Sequence, residues 1–170
     1  MTMLYEMESD EKFEIWEGQK HLMTPSGTDH EYILSNLNWL LASFVKEHKL
    51  GKLFANNTAL YLHGDVTCRD FRLADLTFVK KDRLDIVQNR GIYGPPDLII
   101  EVVSPGKKNA ERDLVEKYAI YESFGVQEYW IVTPYLEDMK LFGLQEGRYV
   151  QLGNSEVLLG LKLAHEDIFE

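Results

Sequence analysis

A glutamate stands inside an otherwise apolar run, Leu98-Ile-Ile-Glu-Val-Val103. A run this apolar marks a strand covered on both faces, where a carboxylate is costly unless positive charge meets it. Side chains alternate along a strand, so Asp97, Ile99, Glu101 and Val103 share one face. Upstream, Asp75 is likewise embedded among Leu73, Leu76 and Phe78. Three acids converging on one sheet face raise one another's pKa unless a cation is present. A hard divalent ion with oxygen ligands is the economical partner. The alternative is structural: Asp97 caps a strand start, while Asp75 and Glu101 pair with nearby arginine or lysine.

Lys117 favours the first reading. In the segment after the Glu101 strand, Ala110, Leu114, Lys117, Tyr121 and Phe124 recur at three- and four-residue steps, one face of a helix. That face packs on the sheet, so the ammonium can reach the acidic cluster, position an attacking water and stabilise a pentavalent phosphate. The competing reading is a lysine whose stem covers apolar surface while its head reaches water.

The elements that must position these residues follow from periodicity and punctuation. Phe13-Glu-Ile-Trp16 and Lys20-His-Leu-Met23 read as hairpin partners around Gly18-Gln19. A helix is expected over about 30–48, capped by Thr28 or Asp29 and ended by Gly51. Strand character follows over Leu53–Leu62 and again over Phe71–Val79. Residues 81–92 read as a short helix and a loop. Strand 97–103, helix 109–124 with Gly125 as its C-cap, and strand 126–132 form a crossover between parallel neighbours. Weaker strands at 139–144 and 148–152 turn through Gly147. The tail predicts a strand-like stretch near 157–163 and a short helix from His165. The order gives one α/β (α+β) domain over 1–170, a mixed β-sheet core flanked by helices.

Composition narrows the function. The 45% apolar and 27% charged content is that of a folded domain rather than a disordered chain. Cys68 is the single cysteine, so no internal disulfide forms, as in a reducing compartment. It reads as a surface or strand-end thiol. No signal peptide and no apolar run of the ~20 residues needed to span a bilayer are present, so a cytoplasmic, non-membrane protein is expected. A net charge of −10 excludes coating nucleic acid by global charge. Any DNA must be held by a local basic patch, a dimer cleft or metal ions.

The chain resembles the Uma-type restriction endonuclease family, a branch of the restriction-endonuclease-like PD-(D/E)XK superfamily. The resemblance is strongest over Pro96-Asp-Leu-Ile-Ile-Glu-Val-Val-Ser-Pro105, Glu116-Lys117, Tyr121 and Gly125-Val-Gln-Glu-Tyr-Trp-Ile-Val132. Phe13-Glu-Ile-Trp-Glu-Gly18, Met23-Thr-Pro-Ser with His30, and Arg72-Leu-Ala-Asp-Leu-Thr-Phe-Val79 also match in order. The resemblance implies that Asp75 is the first acid of the motif and Glu101 the second. Ala74 stands where proline is usual before the first acid. Val103 stands where the superfamily has lysine, and Lys117 on the following helix takes over that position. Asp97, Glu14 and His30 match further family positions, with Glu14 and Asp97 expected close to the metal. A histidine at a helix start is more often a capping or hydrogen-bonding residue than a catalyst.

The resemblance further implies a Mg²⁺- or Mn²⁺-dependent endonuclease that hydrolyses DNA phosphodiester bonds. Asp75, Glu101 and the Val102 main-chain carbonyl are then the metal ligands, and Lys117 the catalytic ammonium. Arg69, Arg72, Lys107, Lys108 and Arg112 form the expected phosphate-binding patch, with solvated surface as the alternative. Tyr121, Tyr129 and Trp130 read as core. A homodimer suits two cuts on a duplex. The rival is a binding or regulatory protein that keeps the nuclease fold without cutting.

Overall fold

The computed structural model describes residues 11–56, 58–65, 67–104 and 110–170, with 110–113 described through their backbone. Along the chain the strands and helices are β1 (Phe13–Trp16), β2 (Gln19–Leu22), α1 (Thr28–Glu47), β3 (Gly51–Ala55), β4 (Ala59–Tyr61), β5 (Arg72–Leu73), β6 (Leu76–Lys80), β7 (Val87–Gln88), β8 (Gly91–Tyr93), β9 (Leu98–Val102), α2 (Ala110–Phe124), β10 (Glu128–Thr133), β11 (Asp138–Gln145), β12 (Arg148–Leu152) and α3 (His165–Phe169).

Every residue of β9 is buried, as its apolar run requires. It lies inside a six-stranded mixed sheet of order β12-β11-β10-β9-β6-β3, parallel to β10 and antiparallel to β6. Alternation sorts its side chains. Leu98, Ile100 and Val102 join Leu76, Phe78, Trp130 and Val132 beneath Ile33, Leu37 and Leu41 of α1. Ile99 faces the other way, with Val79, Tyr129 and Tyr121 of α2. The crossover β9–α2–β10 and the flanking helices are thus as the sequence implies.

Several boundaries differ, each for a local reason. The helix expected from about 30 begins at Thr28 with Gly27 as its N-cap and no side-chain cap. Thr28 and Asp29 lie inside the first turn, where the Asp29 charge favours the helix dipole. Its end is set by Lys49 rather than Gly51. Lys49 adopts the left-handed conformation, φ 53°, and the amides of Lys49 and Leu50 close on the carbonyls of Lys46 and Val45 as a Schellman motif. Gly51 instead opens β3, where a β-carbon would sit 2.1 Å from the Val79 carbonyl oxygen.

The run 53–62 divides into β3 and β4, which belong to different sheets. The Thr58 hydroxyl donates to the Ala55 carbonyl and ends β3. Phe71–Val79 also divides. Arg72–Leu73 joins the four-stranded sheet β5-β4-β8-β7, while Leu76–Lys80 joins the main sheet. The break falls at Asp75, whose carboxylate accepts the Val102 amide at 2.8 Å. Residues 81–92 hold a 3₁₀ helix, Lys81–Ile86, and the hairpin β7–β8.

Residues 157–163 form a bend, a turn at 159–160 and irregular chain instead of a strand. Their hydrogen bonds explain it: the amides of Glu156 and Val157 donate to the buried Glu128 carboxylate. Trp130 Nε1 and the Ser155 hydroxyl donate to its other oxygen. Glu128 is an internal anchor with both oxygens satisfied.

Candidate active site

Pairing of β6 with β9 runs Phe78↔Leu98, Thr77↔Ile99 and Leu76↔Ile100. One step further along this register, Asp75 stands opposite Glu101. Directly opposed residues have β-carbons about 4.5–5.5 Å apart, so the sheet itself brings the two acids together. Both line one pocket of about 110 Å³, with Lys12, Thr24, Ser26, His30, Val102 and Lys117 also on its walls.

Each carboxylate has one oxygen engaged. Asp75 Oδ2 accepts the Val102 amide and lies 3.2 Å from His30 Nε2. Glu101 Oε1 accepts Lys117 Nζ at 3.0 Å and the Tyr121 hydroxyl at 2.9 Å. Lys117 and Tyr121 are one turn apart on α2, so a single helix face delivers both donors. Among the described residues, Asp75 Oδ1 and Glu101 Oε2 accept no hydrogen bond.

Glu101 feels two acids, Asp75 and Glu14, against one lysine, Lys117. Burial drives the Glu101 carboxyl up; the Lys117 ammonium opposes this, while Asp75 and Glu14 add repulsion, and the pKa reaches about 7. Burial also works against an ionised Asp75, but His30, the Val102 amide and Lys117 outweigh it and hold that pKa below the usual value. Lys117 is raised: burial favours the neutral amine, yet Glu101, Glu14 and Asp75 together overcome it. His30 is raised despite burial by Asp75 and then Glu31. An ionised Asp75, a Glu101 short of positive charge and one uncommitted oxygen on each make a donor set suited to a hard divalent cation. With such an ion on Asp75 Oδ1 and Glu101 Oε2, His30, Lys117 and Tyr121 would orient the two ligands from behind.

A pH dependence follows. Glu101 titrates near 7 in the folded chain against 4.5 as the reference value. Folding therefore tightens its proton. This contribution to stability is complete below about 4.5 and is lost as pH rises through about 7, amounting to roughly 3 kcal/mol. Urea unfolding at pH 5 and 8 without divalent ions should show that loss, and Glu101→Gln should remove it. Equal slopes in both proteins would contradict the assignment.

The other expected residues lie elsewhere. Asp97 shares the Glu101 face but sits four residues away, about 13 Å along the strand. Its oxygens take the Lys80 amide and the Arg83 guanidinium, and it does not line the pocket. Glu14 of β1 accepts the Leu73 amide and Arg72. It borders the site through its field on Glu101 and Lys117 without lining the pocket. Arg72, expected in the phosphate patch, is buried between Glu14 and Glu116 and stacks over Trp16. Arg69 is exposed. Lys107, Lys108 and the Arg112 side chain lie outside the described residues. Lys12 was not foreseen. Its Nζ donates to Asn56 at 2.6 Å while the residue lines the pocket, a contact across forty-four residues.

Comparisons with known proteins bear on the family and the fold. The model of the Uma2 family, described as "Putative restriction endonuclease", matches residues 2–168. A solved structure from Anabaena variabilis, titled a "putative nuclease belonging to DUF820", superposes with a TM-score of 0.72 at 17% identity, covering 92% of this chain and 89% of that one. At that identity the likeness shows the fold. No curated protein matches the chain.

Proposed function

From the premise that the chain belongs to the Uma2 family of restriction-endonuclease-like proteins, we propose that the pocket hydrolyses DNA phosphodiester bonds with Mg²⁺ or Mn²⁺. The observation that carries this reading is the pair of opposed carboxylates, Asp75 and Glu101, each with one oxygen committed and one available.

A divalent ion there would neutralise phosphate charge and lower the pKa of an attacking water. Asp75 and Glu101 would hold it, with the Val102 carbonyl as the third ligand. Lys117, kept protonated by its acidic neighbours, acts as a fixed positive charge rather than a base. It offsets charge gathering on the scissile phosphate. Tyr121 and His30 fix the orientation of the two carboxylates. Lys12 stands at the wall of the pocket as a phosphate contact. A two-fold dimer would present one such pocket to each strand of a duplex. No described helix is long and apolar enough to cross a membrane.

Purified protein should nick supercoiled plasmid DNA in Mg²⁺ or Mn²⁺ and leave it intact in a chelator. Calorimetric titration should show Mn²⁺ binding that Asp75→Asn removes. Absence of both cutting and Mn²⁺ binding would favour the rival, a nuclease fold retained for binding or regulation.

A further inference from the structure

A second set of ligand atoms lies outside this pocket. The imidazole of His63, the thiol of Cys68 and the carboxylate of Asp70 converge with ligand atoms all within 4.8 Å of one another, and none of them lines the Asp75–Glu101 pocket. We propose that these three residues form a separate transition-metal site, matched to Zn²⁺ rather than to Mg²⁺.

The donor chemistry makes the distinction. Thiolate and imidazole favour borderline and soft ions, whereas the ligands proposed in the catalytic pocket are oxygens alone. Tetrahedral bonds of 2.0–2.3 Å place ligand atoms about 3.3–3.8 Å apart, so the set closes on an ion with side-chain movements of about 1 Å. Three protein ligands leave the fourth position to water.

Two of the ligands are already oriented by other elements. The His63 ring packs against Trp16, stacked at 5.9 Å, and Phe124, edge-on at 4.8 Å. Asp70 receives the Glu17 amide on Oδ2 and the Gly18 amide on Oδ1. Each oxygen retains a lone pair for a metal, and such bonds behind a ligand are what fix it for coordination. Glu17 and Gly18 both have positive φ, 50° and 72°, and form the turn of the β1–β2 hairpin. A metal here therefore ties His63 and Cys68, through Asp70, to the hairpin that carries Glu14. On binding, the Cys68 S–H bond breaks and its proton goes to solvent. Sulfur, nitrogen and oxygen each donate an electron pair, and no oxidation state changes.

The test uses the full chain and Co²⁺ as a spectroscopic substitute for Zn²⁺. One equivalent of Co²⁺ should produce a thiolate-to-cobalt charge-transfer band that Zn²⁺ bleaches. Cys68→Ser should abolish the band, and His63→Ala should weaken Co²⁺ affinity at least tenfold. Asp75→Asn should leave the band unchanged, and Cys68→Ser should leave Mg²⁺-dependent nicking unchanged, which separates this site from the catalytic one. Wild-type protein that gives no such band at one equivalent would overturn the proposal. So would a band whose affinity is the same in His63→Ala, since the thiol would then be binding alone.

Discussion

Glu101→Ala should reduce Mg²⁺-dependent nicking by about a thousandfold or more, equivalent to about 4 kcal/mol of transition-state stabilisation. The loss is this large because the residue does two things at once. Its Oε2 is one of the two carboxylate oxygens left for a cation, and its Oε1 receives both Lys117 and Tyr121. Removing it would take away a proposed ligand and the acceptor of the Lys117 ammonium. Circular dichroism and urea unfolding of the variant should remain cooperative, since β9 keeps its apolar residues on both faces. Cutting by folded Glu101→Ala at the wild-type rate would sink the assignment.

Lys117→Met should behave differently. The lysine touches Glu101, and no ligand is lost when it is replaced by an unbranched side chain of similar length. Mn²⁺ affinity should survive at pH 8, because deleting a positive charge beside the carboxylates favours a cation there. Lys117 lowers the Glu101 pKa, so without it the onset of Mn²⁺ binding should move to higher pH. The single-turnover cutting rate should nonetheless fall by about 10²- to 10³-fold, the scale on which a preorganised positive donor acts on developing charge. Full activity in the variant would reduce Lys117 to a packing residue. Complete loss of Mn²⁺ binding at pH 8 would make its role indirect, through the geometry of Glu101.

Much of this was legible in the sequence, and the limits are physical. An acid in an apolar run shows that a strand buries a carboxylate, and three- and four-residue spacing shows which helix face carries Lys117. That signal does not say what the carboxylate is for. Glu128 stands in an equally apolar strand and is equally buried, yet four donors from Trp130, Ser155, Glu156 and Val157 satisfy both its oxygens. Glu101 differs only in having one oxygen left over, a property of tertiary contacts that no local pattern encodes.

The same limit governs the rest of the site. Asp75 was recognisable as an acid in a strand, but its place opposite Glu101 depends on strand register. The break that aims its side chain at the Val102 amide arises because β5 and β6 belong to different sheets. Arg72 looked like a phosphate contact because it lies close to Asp75 in sequence. It is instead consumed by Glu14 and Glu116, which arrive from β1 and α2. Lys12 carried no pattern at all. His30 entered through family resemblance, and its pairing with Asp75 is a contact across forty-five residues.

The most direct measurement is a crystal structure of the protein soaked in Mn²⁺, with the ion located by its anomalous scattering. The account predicts one ion in the pocket beside Lys117, bonded to an oxygen of Asp75 and an oxygen of Glu101. A pocket that stays empty at saturating Mn²⁺, or an ion that binds without touching both carboxylates, would contradict it.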